Sequence, residues 1–293
     1  MESTLSATPP FSLQSVLRSH GWIQLAPFAG ETPYQEFTYT NQLANGRVTS
    51  WLVQAAVDGV KISVDGKLDS SEASEISEKL GWMLDLERDL APFYTIADLE
   101  PKLAYVAERA RGRILRSATF FEDTIKTLLT TNTAWSGTIR MVQALVDLYG
   151  KPLPRGPARR GFPTAAELAA ADVEALRQEA KLGYRAPYVS ELARRVDSGD
   201  LDLEAYKTAD LSTAELRKEL LAIKGIGAYA AANLLMLLGR TDYIPIDSYA
   251  LKVVSEEFHD GQPVTPADVE AAFERFGKWK GMAYWFWDYG AEN

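Results

Sequence analysis

The stretch "LRKELLAIKGIGAYAAANLLMLLG", residues 216–239, limits the possible folds more than any other part of the chain. Two helical patterns stand on either side of Lys224-Gly225-Ile226-Gly227, so the chain must reverse within four residues. Gly225 and Gly227 permit a positive φ and carry no side chain to hold a neighbour away. The second helix is expected to begin near Ala228, which leaves its first amides facing whatever lies beside the turn. Those amides and the helix dipole favour an anion, a phosphate oxygen above all, and Lys224 adds a full positive charge. A tight turn between two packed helices accounts for the same glycines without any ligand. Ser212 and Glu215 have capping-box spacing at the start of the first helix. Gly239 stands where the second should end.

Beyond the hairpin comes "YIPIDSYA", residues 243–250. Pro245 fixes the backbone, and Asp247 can cap a helix that starts at Ser248. The neighbours Ile244, Ile246 and Tyr249 lead one to expect a partly dry carboxylate. In such a place it could stabilise a developing positive charge. Capping and chemistry both remain open at this point.

The remaining sequence divides by pattern. "FTYTNQLANGRVTSWLVQAAVDGVKISVDGKL" carries β-branched and aromatic residues cut by Asn45-Gly46, Asp58-Gly59 and Asp65-Gly66, the dipeptides of tight hairpins. From "SSEASEISEKLGWML" onward helical spacing takes over, with Ile76, Leu80, Met83 and Leu84 as its apolar stripe. "FFEDTIKTLLTTN" and "SGTIRMVQALVDLYG" read as two helices broken near Asn132, and residues 151–164 as a loop rich in Pro, Gly and Arg. Helix starts are expected at Thr164-Ala-Ala-Glu167 and Thr265-Pro-Ala-Asp268. The expected fold is α+β: an N-terminal antiparallel β-sheet lobe over residues 1–99, then an all-α helix–hairpin–helix domain over 100–293.

Composition excludes several chemistries. There is no cysteine, so disulfides, zinc–thiolate sites, iron–sulfur clusters and thiol nucleophiles are absent. His20 and His259 do not form a metal-ligand spacing, and no transition-metal site is expected. No apolar run reaches membrane-spanning length, and "MESTLSATPPFSL" lacks the parts of a secretory signal. The expectation is an intracellular protein (cytoplasm or nucleoid in a prokaryote), a monomer with no membrane partner. The net charge of −9 argues against nucleic acid until it is mapped. Residues 101–195 hold 16 Lys/Arg against 9 Asp/Glu, so a local positive face is compatible with the sequence, as is an unevenly charged solvated surface.

The hairpin, its following helix and the acid of "YIPID" resemble the helix–hairpin–helix (HhH-GPD) DNA glycosylases, in particular the 3-methyladenine and 8-oxoguanine branch. "KLGYRAPYVSELARRV" and "FGKWKGMAYWFWDYG" are similar to further segments of that family, and the likeness covers roughly residues 110–290. The resemblance implies base excision repair of double-stranded DNA containing a damaged base. Asp247 would be the catalytic acid. The amides of Gly225, Ile226 and Gly227, with Lys224, would grip the DNA backbone, and hairpin carbonyls could hold Na+ or K+. Tyr184 would wedge into the vacated stack, while Arg185 and Asn132 met the abandoned partner base. The arginines at 109, 111, 113, 116, 155, 159 and 160 would add sequence-independent attraction, or serve as plain surface charge.

Bifunctional members carry a lysine two residues past the second glycine. Tyr229 stands there, so the resemblance implies a monofunctional enzyme. Tyr229, Trp135, Tyr284 and Trp287 are the expected base pocket. Tyr284 and Trp287 share one helical stretch with Trp279, Trp285 and Tyr289, an aromatic stripe that a helical core more often explains. Alkylated purines are the expected substrate. An 8-oxoguanine glycosylase, with or without lyase activity, and a non-catalytic lesion binder are the rivals.

Overall fold

The structure, a computed structural model, describes residues 2–31 and 34–287. The chain forms two compact units, each assembled from two stretches: Met1–Asp89 with Arg113–Ala205, and Leu90–Gly112 with Tyr206–Asn293. The division therefore does not fall at 99/100, where the change of pattern suggested it.

The first unit holds a five-stranded antiparallel sheet. Its strands are β1 (Glu2–Ser6), β2 (Phe28–Ala29), β3 (Glu36–Gln42), β4 (Val48–Ala56) and β5 (Gly59–Val64), in the order β1-β5-β4-β3-β2. Tyr39 pairs with Trp51 and Val53 with Ile62, and the period of two buries Phe37, Tyr39, Trp51, Val53 and Ile62 together. Asn45-Gly46 and Asp58-Gly59 turn hairpins as expected, whereas Asp65-Gly66 ends the sheet. The edge strand β1 gave no signal in the sequence, being short and polar. Its place explains Gly59, where a Cβ would stand 2.0 Å from the Leu5 carbonyl oxygen.

The helices of this unit are α1 (Ser70–Leu84), α2 (Phe120–Thr130), α3 (Trp135–Tyr149) and α4 (Ala186–Asp197), among shorter turns. Ile76, Leu80, Met83 and Leu84 of α1 are all buried. Residues 151–164 are not simply a loop, because Pro152–Leu153 and Gly156–Arg160 pair as a small hairpin, β6 and β7.

Polar groups explain why α2 belongs with the sheet. The Tyr39 hydroxyl donates to Glu122 at 2.6 Å, and Trp22 Nε1 donates to Asp123 at 2.7 Å. Lys126, fully buried, pairs with Glu122 at 2.6 Å and lies 4.9 Å from the Phe28 ring centre. These bonds tie residues before 99 to residues after 100 within one unit. Burial pushes the Asp123 carboxyl up to about 6, against hydrogen bonds from Trp22 and Ser117. Burial also pulls His20 down to about 3, helped by the charge of Lys126.

Several arginines of the basic middle segment are structural. Arg113 is buried and donates to the carbonyls of Thr8, Pro10, Asp85 and Arg88. Arg116, also buried, pairs with Asp85 at 3.0 Å. Arg159 bonds Ser50 and Arg160 bonds the Gly150 carbonyl. Arg111, in the second unit, is buried as well. A sequence count records charge but not that such charge is spent on backbone carbonyls, so the expected positive face shrinks.

The second unit is helical. Its main elements are α5 (Thr213–Leu221), α6 (Ala228–Leu237), α7 (Ser248–Phe258), α8 (Pro266–Phe273) and α9 (Lys280–Trp285). Phe258, Phe273, Phe276 and Trp287 form its aromatic core, with ring centres 5.2–6.1 Å apart. Among the described residues no helix is long and apolar enough to cross a membrane.

Candidate active site and nucleic-acid interface

In the helical unit, Ser212 and Glu215 form the expected capping box at α5. Ile223 and Ile226 are buried and anchor the turn, while Lys224, Gly225 and Gly227 are exposed. Gly225 takes φ +90°, which the reversal requires. Gly227 is different. Its φ is −93°, and a Cβ built there would meet nothing within 4 Å. Neither conformation nor packing asks for glycine at 227, but a partner coming close to the backbone would. The side chains of Ser212, Asp247 and Thr265 cap α5, α7 and α8, whereas α6 opens on Gly227 with no side-chain cap. Its first-turn amides are thus open to an acceptor from outside.

Asp247 is the N-cap of α7, its Oδ1 accepting from the Ala250 amide at 2.9 Å. The capping reading is therefore realised, and it leaves Oδ2 for other work. Ile244 is buried but Asp247 itself is exposed, so the expectation of a partly dry carboxylate fails for the free protein. Tyr229 is its close electrostatic neighbour. Burial and the Asp247 charge push the Tyr229 phenol above its ordinary range, with a hydrogen bond from Asn233 acting the other way. Tyr229 lines a pocket of about 360 Å³ with Tyr243, Ile244, Ile246, Ala232 and Pro266.

Asn233, one turn along α6, donates Nδ2 to the Tyr229 carbonyl at 3.0 Å. It was not among the expected site residues. The available signal was a lone amide in the apolar run "AYAAANLLML".

The other aromatic candidates lie elsewhere. Tyr284 and Trp287 are 8% and 4% exposed, and both stand edge-on to Phe273 in the core. Trp135 belongs to the sheet unit. It donates Nε1 to Gln24 at 2.8 Å and stacks on Trp22. None of the three lines the Tyr229 pocket. The core explanation of the aromatic group holds for Tyr284 and Trp287, and Tyr289 lies outside the described residues.

In the sheet unit Asn132, Tyr184 and Arg185 come together. Asn132 follows α2 in a left-handed conformation, φ +47°, with an exposed side chain whose Nδ2 lies 3.4 Å from the Tyr184 hydroxyl. The Tyr184 ring is 51% exposed and rests on the Arg185 guanidinium, 4.5 Å from ring centre to Cζ. Arg185 itself is only 6% exposed, and its Nη2 donates to the carbonyls of Thr131 and Asn132.

One unit thus carries an uncapped helix start and an exposed carboxylate, the other a half-exposed ring resting on a buried arginine. The profile described as "HhH-GPD superfamily base excision DNA repair protein" matches residues 125–278. The chain belongs to that superfamily and, within it, to the DNA glycosylases, enzymes that cut N-glycosidic bonds. It is 24% identical over 226 residues to a probable N-glycosylase/DNA lyase of Methanothermobacter thermautotrophicus, covering 69% of this chain and 70% of that one. It is 27% identical over 224 residues to a DNA-3-methyladenine glycosylase of Bacillus subtilis, covering 72% of each. The 3-methyladenine DNA-glycosylase structure from Archaeoglobus fulgidus superposes with a TM-score of 0.77 at 23% identity, over 99% of this chain and 98% of that one.

Proposed function

We propose that the protein is a monofunctional glycosylase that removes alkylated purines from double-stranded DNA. The observation that carries this reading is Tyr229 beside Asp247, at the position where the family likeness puts the lysine of the bifunctional enzymes. A phenol cannot form a Schiff base with the sugar, and Lys224 lies before the turn, on its other side. The relatives named as 3-methyladenine glycosylases support the substrate class. The one named as a probable N-glycosylase/DNA lyase supports the rival, an oxidised-guanine glycosylase with lyase activity.

In this reading the damaged nucleotide leaves the stack, since its glycosidic bond is out of reach inside it. The amides at Gly225–Gly227 and the Lys224 charge hold the phosphate backbone. The carbonyl oxygens of the same turn are hard donors of the kind Na+ or K+ takes. Tyr184 fills the space left behind. The C1′–N bond then breaks with its electron pair going to the base. An alkylated purine that starts as a cation leaves neutral. The sugar turns positive, Asp247 stabilises that charge, and water adds at C1′ while its proton passes to Asp247 or to solvent. Tyr229 offers an apolar face for the base.

Two measurements test the proposal. Borohydride treatment with abasic DNA should trap no covalent adduct, and a trapped adduct would refute monofunctional action. A panel of methylated, deaminated and oxidised bases should show release of methylated purines first. Release of 8-oxoguanine alone would replace the substrate assignment.

A further inference from the structure

We propose that Arg185 positions the wedge and does not read the unpaired base, so that the enzyme accepts a lesion opposite any of the four bases. The inference rests on the glycosylase reading above and sharpens it into a statement about specificity.

An arginine discriminates bases when its planar fork is free to bond two acceptors on one base edge. Arg185 is not free in that sense. It is 6% exposed, its Nε is buried without a partner among the described residues, and its Nη2, which either two-pronged edge of the fork containing it would need, is committed to the Thr131 and Asn132 carbonyls, while the Tyr184 ring lies over its Cζ at 4.5 Å. Turning it toward a base would strip two carbonyls of their donor and the ring of its cation. The same bonds have a clear positioning use. They tie down the corner that holds Asn132 at φ +47°, and they set the ring that the corner's amide meets at 3.4 Å. Arg185 therefore fixes where Tyr184 stands and where Asn132 points.

Asn132 is left as the exposed polar reader. Its amide carries donors and an acceptor on one group, so it can meet the edge of any base with a single bond.

The test needs no knowledge of the lesion. Duplexes carrying a tetrahydrofuran abasic analogue opposite C, T, A or G are titrated by fluorescence anisotropy, with undamaged duplex as reference. The four affinities should agree within about threefold, because a bidentate reader would separate them by about tenfold or more. Arg185→Ala should weaken all four by a common factor. Asn132→Gly, which keeps the left-handed corner without the amide, guards against an Arg185 variant that fails to fold, and it should also act evenly. A tenfold preference for one opposite base that disappears in Arg185→Ala would overturn the inference while leaving the glycosylase reading intact. Abasic duplex bound no better than undamaged duplex would overturn both.

Discussion

Replacing Asp247 by asparagine separates its two roles. The cap is a single bond from the Ala250 amide to Oδ1 at 2.9 Å, and an asparagine oxygen accepts it equally well. The fold should lose no more than a few tenths of a kcal/mol, where Asp247→Ala would lose about 1 kcal/mol of capping energy. The chemistry should lose far more. A carboxylate about 4 Å from a cationic sugar, at an effective dielectric near 20, contributes about 4 kcal/mol, or about a thousandfold in rate. That dielectric applies only once DNA covers the site, because Asp247 is exposed in the free protein. In water the same pair would give about 1 kcal/mol. The assay is single-turnover release of methylated purines from methylated duplex DNA, with tetrahydrofuran-duplex affinity measured alongside. The expected result is a rate about a thousandfold lower, affinity within about twofold and an unchanged melting temperature. A rate within tenfold of the parent, or equal loss of rate and affinity, would show that Asp247 is a cap and nothing more.

Three other outcomes follow from the geometry. Tyr229→Lys places an amine beside Asp247 and should give a borohydride-trappable adduct on abasic DNA where the parent gives none. Gly227→Ala should leave thermal stability unchanged or slightly higher, since φ is −93° and the Cβ finds open space, yet weaken every abasic duplex alike. Asp123 has a folded pKa of about 6 against 3.8, so its share of stability is full below pH 3.8 and lost as pH rises through 6. Urea unfolding of the parent and Asp123→Asn should thus diverge between pH 4 and 7 by about 3 kcal/mol, the parent losing ground as pH rises. The difference between the two cancels the opposite slope from His20.

The hairpin, its acid and the helix starts were legible because they depend on local chemistry. Glycines at a reversal, and Ser, Thr or Asp three residues before a carboxylate, carry their reasons with them, as at Thr164, Ser212 and Thr265. The cluster of Asn132, Tyr184 and Arg185 was legible only through family likeness. The bonds joining the Asn132 corner to Tyr184 and Arg185 span 52 residues or more, and no spacing rule reaches that far. Arg113 and Arg116 were misjudged because arginine pattern does not distinguish water from backbone carbonyl as a partner. Tyr284 and Trp287 were misplaced because a ring facing a core and a ring facing a ligand look the same in sequence. The boundary at 99/100 followed a change of periodicity, whereas the units follow the pairing of Tyr39 with Glu122 and Trp22 with Asp123.

Interleaving of the two units has a consequence for biosynthesis. As the chain leaves the ribosome, the sheet emerges early but lacks α2, with its Glu122 and Lys126, until the segment at 90–112, destined for the other unit, has passed. That segment must then wait for everything after 206. Neither unit can be cut out as one continuous fragment, and a chaperone that shelters the nascent chain would have to hold both halves open at once.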